Sequence, residues 1–142
     1  LTVGQAVLSP TRTYAPVLKK VFDEVGRNNI HGIIHNSGGG QVKCRSFGNG
    51  LHYVKDSIIE VPPLFELIRS SSGTDYPEMF QVFNMGCRME IVLPERYAEE
   101  VLTTAGFFNV DAKVIGYIDK NPDSETENKV TITAPDDTKI EY

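Results

Sequence analysis

The sequence has few of the features that mark metal sites, membrane spans or exported proteins. Its two cysteines, Cys44 and Cys87, are far apart and form no Cys-x-x-Cys or Cys/His pattern with metal-ligand spacing. It has no apolar run of about 18 residues, so no transmembrane helix is predicted. Residues 1–4 have neither the basic region nor the apolar core of a signal peptide. We therefore expect reduced thiols, a cytoplasmic location and no membrane partner.

Basic charge is also scarce. The chain has 14 lysine and arginine residues against 19 aspartate and glutamate residues, which gives a net charge of −5. Nonspecific binding to nucleic acid or to an anionic membrane needs a basic field, so a nucleic-acid partner is not expected. A local basic pocket remains compatible with this balance.

Familiar catalytic patterns are missing as well. There is no Ser-His-Asp order and no paired-carboxylate motif, and the glycines Gly38–Gly40 lack the Gly-Lys-Ser/Thr continuation of a P-loop. We predict no metal site in this chain. Its 142 residues, of which 40% are hydrophobic and 23% charged, are enough for an ordinary globular domain with its own core. We expect residues 1–142 to form a single domain.

Predicted helices and strands alternate along the chain. Apolar residues at helical spacing and helix-entry signals predict helices over about 9–26, 62–72, 75–83 and 95–105. Apolar and alternating runs predict strands over about 30–35, 41–47, 51–55, 87–93, 110–118, 130–134 and 139–142. The Asn-Gly pair at Asn49 and Gly50 predicts a β-hairpin over 41–55. The predicted class is α/β (α+β), a sandwich with helices packed on a mixed, largely antiparallel sheet.

The most informative segment is His35–Gly40, where a predicted buried strand runs into three consecutive glycines. Glycine adopts φ > 0 and lets a ligand approach the main chain closely. Such turns form nests of N–H groups for anions, of which phosphate is the commonest in biology. A flexible surface turn is the alternative interpretation. His35, at the end of the strand, is either a structural hydrogen-bonding residue or a catalyst.

Two further turns are candidate ligand-binding segments. Asn84–Gly86 lies between a predicted helix and a predicted strand, and is either a helix C-cap or a loop that lines a ligand site. Ser9–Arg12 is either a helix cap or a binding segment. In the second case the Thr11 hydroxyl donates a hydrogen bond to the ligand, and Arg12 binds its phosphate or carboxylate group.

Four segments together resemble one family. The family is phosphoribosylformylglycinamidine cyclo-ligase (aminoimidazole ribonucleotide synthetase). Residues 8–14 are similar to its segment Leu-Thr-Pro-Thr-Arg-Ile-Tyr, and residues 35–40 to its His-Ile-Thr-Gly-Gly-Gly. Residues 61–65 are similar to its Val-Pro-Pro-Ile-Phe, and residues 78–86 to its Glu-Met-Tyr-Arg-Thr-Phe-Asn-Met-Gly. Their order and approximate spacing match, and the resemblance runs from about residue 8 to residue 118. It covers only the C-terminal domain of that family. Because the acidic metal-binding motifs of the family's N-terminal domain are not in this sequence, we expect one part of a two-domain enzyme.

The sequence departs from the family pattern at several positions. Asn36 and Ser37 stand where the family has Ile and Thr, and Arg88 stands where it has Gly. The predicted hairpin over 41–55 replaces the helix that often follows the glycines. Since Ser37 keeps the hydroxyl group, phosphate contact is still expected. We interpret these changes as a divergent branch that differs in substrate detail more than in fold.

The resemblance implies an ATP-dependent ring closure in purine biosynthesis, from formylglycinamidine ribonucleotide to aminoimidazole ribonucleotide. ATP phosphorylates the formyl amide oxygen, an amidine nitrogen attacks the activated carbon, and phosphate leaves. ATP and Mg²⁺ would be bound mainly by the N-terminal domain, so neither is expected on this fragment, which would be inactive alone. The implied partners are that N-terminal domain, the ribonucleotide substrate and a second copy in a homodimer.

The resemblance also implies roles for particular residues. His35 is the candidate catalytic residue, which would orient the substrate or move a proton. The candidate substrate- and phosphate-binding residues are Thr11, Arg12, Asn36, Ser37, Gly38, Gly39, Gly40, Asn84, Met85 and Gly86. Two alternatives to the cyclo-ligase activity stay open. One is another ATP-dependent enzyme of the same superfamily, of the formylglycinamidine synthetase, thiamine-phosphate kinase or selenophosphate synthetase type. The other is a non-catalytic assembly or regulatory domain.

Overall fold

The computed structural model describes residues 2–142. The helices are α1 Val3–Val7, α2 Ala15–Val25, α3 Pro63–Ser72, α4 Tyr76–Val82 and α5 Ala98–Phe107, with 3₁₀ helices at Arg27–Asn29, Gly40–Ser46 and Glu95–Tyr97. The strands are β1 Gly32–His35, β2 Leu51–Lys55, β3 Met89–Val92, β4 Tyr117–Lys120, β5 Lys129–Thr133 and β6 Lys139–Glu141. The chain divides into two compact units. Unit 1 comprises the residues up to Ile33 with Ile91–Lys113, and unit 2 comprises Ile34–Glu90 with Val114–Tyr142.

Unit 1 is built on α2 and α5. Val17, Val21 and Val25 recur on one face of α2 and are buried, as their helical spacing predicts. Partly buried apolar residues such as Val101 pack against them. Gly26 ends α2 with φ 81°, a conformation that glycine adopts without steric cost. The predicted apolar face of this helix and its C-terminal stop are both confirmed.

The predicted beginning of α2 at Ser9-Pro10 is wrong. The helix begins at Ala15, and Pro16 rather than Pro10 occupies its first turn, where the missing N–H of proline costs nothing. Residues 9–14 have no regular secondary structure. A short helix that the sequence analysis did not predict, α1, lies further upstream, and Thr2 caps it by accepting a hydrogen bond from the Gln5 N–H group.

Unit 2 contains a four-stranded sheet in the order β4-β2-β5-β6. β2 is antiparallel to β4 and parallel to β5, and β5 is antiparallel to β6. Tyr53, Val130 and Ile132 of this sheet share one buried cluster with Met79 and Phe80 of α4. The predicted fold class, helices packed on a mixed sheet, is confirmed. The single domain over 1–142 stays a prediction.

The first half of the predicted hairpin over 41–55 is wrong. Residues 40–46 form a 3₁₀ helix, and β2 pairs with β4 and β5 instead of with the residues before it. Gly39 and Gly40 have φ values of 88° and 51°, which turn the chain out of the strand direction. Gln41 and Cys44, three residues apart on the same side of the 3₁₀ helix, are then buried. The expected loss of a helix after the glycines is therefore wrong as well.

Other boundaries shift for local reasons. A strand is predicted over 110–118, but only its last two residues, from Tyr117, form regular structure, as the beginning of β4. An ideal Cβ on Gly116 would lie 1.8 Å from the Val54 carbonyl oxygen, so a glycine is required where this segment meets β2. Gly106 does not stop α5, which continues to Phe107. Within residues 2–142, no helix combines the length and apolarity needed to cross a bilayer.

Candidate functional site

The glycine loop, residues 36–39, connects β1 to the 3₁₀ helix at Gly40–Ser46 in unit 2. The Ser37 N–H donates to the His35 carbonyl at 3.0 Å, and the Gly40 N–H donates to the Ser37 carbonyl at 3.2 Å. Within residues 2–142, the N–H groups of Gly38 and Gly39 have no hydrogen-bond acceptor. Both glycines are exposed. The loop therefore presents to solvent two main-chain N–H groups that have no acceptor among the described residues, next to the Ser37 side chain.

Gly40 has a packing role. It is buried, and an ideal Cβ at this position would lie 2.4 Å from the Phe80 carbonyl oxygen and 2.6 Å from that of Phe83. Its N–H group is already bound to the Ser37 carbonyl. Gly40 thus holds the loop close against the end of α4, and its N–H group is not available to a ligand in this conformation.

The turn Asn84–Gly86 lies against the glycine loop. The Asn84 Nδ2 donates to the Asn36 carbonyl at 3.3 Å, and the Gln41 Nε2 donates to the Asn84 carbonyl at 2.6 Å. The Asn84 Oδ1 accepts the Gly86 N–H at 3.0 Å, which closes the turn. Two segments 48 residues apart in the chain are in this way fixed to each other. Met85, with φ 49°, is buried beneath the turn.

Asn36 faces the interior. Its side chain is buried, and Nδ2 donates to the Cys87 carbonyl at 3.0 Å and to a carboxylate oxygen of Glu90. Its Oδ1 is buried without a hydrogen-bond partner in the described part of the chain. Asn36 and Met85 therefore support the loops, and in this arrangement neither side chain lies at the exposed surface where the Gly38 and Gly39 N–H groups are found.

A buried ion pair lies behind the glycine loop. The Lys55 Nζ is 2.6 Å from Glu90 Oε1, and the two side chains are 4% and 9% exposed. Lys55 also donates to the Gln41 carbonyl at 2.6 Å and to the Gln41 Oε1 at 3.0 Å. No motif in the sequence predicts a role for Lys55 or Glu90 at this site. The available signal was the alternation of β2, which places Lys55 on the same face as the buried Tyr53.

Burial also sets the chemistry of the thiols. Cys44 and Cys87 are both buried, and removal from water raises the pKa of each thiol to about 11. Their thiolate fraction at neutral pH is therefore very small. Neither cysteine fits a nucleophilic or metal-binding role in this structure. Within the described residues, 2–142, no cluster of three His, Cys, Asp or Glu side chains suits a metal ion.

The remaining predicted site residues fall into both units. His35 is exposed at the end of β1, and its carbonyl accepts hydrogen bonds from Ser37 and from the Lys43 Nζ, the latter at 3.0 Å. Thr11 and Arg12 are exposed in unit 1, in the irregular segment before α2. The structure thus brings the glycine loop and the Asn84–Gly86 turn together within unit 2. Roles for His35, Thr11 and Arg12 stay predictions.

Comparison with known proteins places this arrangement in a family. Residues 2–128 match the family described as "AIR synthase related protein, C-terminal domain". The chain belongs to this family. Both the glycine loop and the Asn84–Gly86 turn lie inside the matched range. The resemblance predicted from four short segments is therefore confirmed over most of the chain.

Curated relatives of this AIR synthase related domain are named phosphoribosylformylglycinamidine cyclo-ligase. The Methanopyrus kandleri protein is 35% identical over 84% of this chain and 33% of the relative. The Geotalea daltonii protein is 36% identical over 84% of this chain and 34% of the relative. The Syntrophotalea carbinolica protein is 34% identical over 94% of this chain and 37% of the relative. The chain spans about a third of the length of these relatives.

A solved structure supports the same fold for this family member. E. coli HypE, a hydrogenase maturation protein, superposes with a TM-score of 0.62 over 92% of this chain and 39% of the HypE chain. The sequence identity is 18%, so the similarity concerns the fold alone.

Proposed function

We propose that this chain is the substrate-binding part of an ATP-dependent phosphoribosylformylglycinamidine cyclo-ligase. The longer protein would convert formylglycinamidine ribonucleotide to aminoimidazole ribonucleotide in purine biosynthesis. The proposal is supported by the family membership and by several relatives of that name at 34% to 36% identity. It is also supported by the glycine loop, which has the donors that a phosphorylated substrate needs.

The single observation that carries the site assignment is that the exposed N–H groups of Gly38 and Gly39 have no acceptor within residues 2–142. Together with the Ser37 hydroxyl they form a small set of donors on an exposed loop. A phosphate group accepts several hydrogen bonds at once, and main-chain nests of this kind are suited to it. We assign this loop to the phosphate of the ribonucleotide substrate.

The neighbouring residues have supporting parts in this proposal. Asn84, with Met85 and Gly86, holds the glycine loop in place through the Asn36 carbonyl. His35 at the end of β1 orients the substrate or moves a proton. Thr11 and Arg12, in unit 1, keep a proposed role in binding the substrate. Catalysis of phosphoryl transfer depends mainly on positioning and charge stabilisation, which is the work such residues perform.

ATP and Mg²⁺ belong, in this proposal, to a preceding domain of the longer protein, and the active form is a homodimer. Within residues 2–142 no three His, Cys, Asp or Glu side chains lie together, and the proposal places no magnesium site on this chain. No step of the chemistry is therefore assigned to a metal on this chain. Its contribution is to bind and orient the ribonucleotide.

The experiment is a substrate screen of the full-length protein that contains this chain. We expect ATP-dependent formation of aminoimidazole ribonucleotide, with one ADP and one phosphate released per product. Separate reactions with formylglycinamide ribonucleotide and glutamine, with thiamine phosphate and with selenide represent the alternative superfamily activities. Turnover in one of these and none with formylglycinamidine ribonucleotide contradicts the proposal. Turnover of formylglycinamidine ribonucleotide by the 142-residue chain alone contradicts the assignment of ATP to another domain.

A further inference from the structure

Lys43, in the 3₁₀ helix after the glycine loop, folds its side chain back across that loop. Its Nζ donates to the His35 carbonyl at 3.0 Å and to the Ser37 Oγ at 3.3 Å. These contacts join the two ends of the exposed turn. Because an ammonium group has three N–H donors, one remains for a further acceptor.

The stem of the same side chain runs along Gly39. An ideal Cβ on Gly39 would lie 3.6 Å from the Lys43 Cβ. The ammonium and the exposed N–H groups of Gly38 and Gly39 therefore belong to one local surface. Gly38, Gly39 and Lys43 also line the same shallow groove of unit 2.

Within the described part of the chain, the positive charge of Lys43 is not neutralised by a carboxylate. Among residues 2–142, no carboxylate forms an ion pair with it. Glu141, the acid that lines the same groove, lies 3.2 Å from Lys129 instead. Arg45, the second cation of the groove, donates to the Asn128 carbonyl. The groove thus combines unpaired positive charge with free main-chain donors.

We propose that Lys43 supplies the positive charge of an anion site made with the Ser37 hydroxyl and the N–H groups of Gly38 and Gly39. Its ligand is the dianion of a phosphate monoester, since charge-assisted hydrogen bonds from an ammonium suit a doubly charged oxygen cluster. This inference rests on the proposed function and deepens it, because it adds the cation that the glycine loop itself lacks.

A purely structural role is the competing explanation for Lys43. In that case its ammonium only ties His35 to Ser37, and a neutral donor of similar length serves equally well. The variants Lys43→Gln and Lys43→Arg separate the two explanations, because glutamine keeps a donor without the charge and arginine keeps the charge. Lys43→Met removes both. Lys120→Met is the matched control, since Lys120 is an exposed lysine on β4, at the sheet edge opposite β6.

The test is a titration of the 142-residue chain with ribose 5-phosphate, inorganic phosphate and uncharged ribose, followed through the amide shifts of residues 37–39. We expect ribose 5-phosphate to shift these amides and ribose to leave them unchanged. Lys43→Met and Lys43→Gln should weaken the binding by roughly tenfold, the usual worth of a charge-assisted hydrogen bond. Lys43→Arg and Lys120→Met should bind nearly as well as the wild type.

The outcomes separate the inference from the function on which it rests. If neither phosphate shifts residues 37–39 in the wild type, both the loop assignment and the role of Lys43 are wrong. If the wild type binds and Lys43→Met and Lys43→Gln bind equally well, the loop assignment stands and the role of Lys43 is wrong. Tighter binding of inorganic phosphate than of ribose 5-phosphate overturns the assignment of a monoester.

Discussion

The Lys55 ammonium lies 2.6 Å from a carboxylate oxygen of Glu90, and both side chains are almost completely buried. The same ammonium donates to Gln41, two residues after the glycine loop, and the same carboxylate accepts from Asn36 at the start of the loop. One ion pair therefore fixes both ends of the loop from behind. Buried charges are costly unless they are paired, so the pair is expected to be sensitive to the loss of either partner.

Lys55→Met should destabilise the chain strongly, because it leaves the Glu90 carboxylate buried without its cation. We expect a loss of about 3–5 kcal/mol in the free energy of unfolding, measured by denaturant titration. The double variant Lys55→Met/Glu90→Leu should recover part of this loss. Lys129→Met, which removes ion pairs to the exposed carboxylates of Asp123 and Glu141, should cost less than about 1 kcal/mol. Equal losses for Lys55→Met and Lys129→Met would contradict this interpretation.

Two neighbouring glycines should respond very differently to alanine. Gly40→Ala forces a Cβ to 2.4 Å from the Phe80 carbonyl oxygen at a residue with φ 51°, whereas a Cβ on Gly38 meets nothing within 4 Å. We expect Gly40→Ala to cost about 2 kcal/mol or more of unfolding free energy and Gly38→Ala to be nearly neutral. Thermal unfolding of the two variants measures the difference. A Gly40→Ala protein as stable as Gly38→Ala would mean that the loop does not pack against α4.

The two thiols should react only when the protein unfolds. Burial raises the pKa of Cys44 and Cys87 to about 11, so both the thiolate fraction and the access of reagent are small. A chromogenic disulfide reagent at neutral pH should modify neither cysteine in the native chain and both in denaturant. Rapid modification of either one in the native chain would show that its surroundings open to solvent.

Stability should fall at alkaline pH. A raised folded-state pKa means that the neutral thiols stabilise the fold fully below their usual pKa of 9.0, and that this contribution is lost as the pH rises through about 11. Burial also raises the pKa of Tyr142 to about 12, so the stability that its neutral hydroxyl contributes is lost at a still higher pH. Urea titrations across this range should give decreasing unfolding free energies, with a shallower decrease in Cys44→Ala/Cys87→Ala. An equal slope in that variant would assign the decrease to other groups.

The elements with strong local signals were predictable from the sequence. Local propensity and tertiary packing agree at the valines of α2, which recur at helical spacing. They also agree at the two glycines that end helices, Gly26 after α2 and Gly73 after α3. The segment 41–47 was not predictable in this way. Its residues alternate enough to suggest a strand, but it forms a 3₁₀ helix that follows positive φ values at Gly39 and Gly40.

The candidate site was predictable in its main chain but not in its side chains. The glycines and Asn84 could be found because turns depend on a few residue types with special backbone freedom. Lys43 and Glu90 could not, because a lysine or glutamate in sequence gives no sign of whether it is solvated or faces a loop. For Lys55, the alternation of β2 indicates burial but not the groups that it binds. The partners of these charged groups are 6 to 54 residues away and become visible only in the folded chain.

The sharpest measurement of the glycine loop's role compares two valine variants of the full-length protein. Gly39 and Gly73 have φ values of 88° and 72°, so valine strains the backbone similarly at both, and Gly73 has open space around it. We expect Gly39→Val to lower kcat/KM for formylglycinamidine ribonucleotide by about 100-fold, the cost of a misplaced substrate, with thermal unfolding no lower than that of Gly73→Val. Gly73→Val should stay close to wild-type activity. Wild-type activity in a folded Gly39→Val protein would contradict the assignment of the substrate phosphate to this loop.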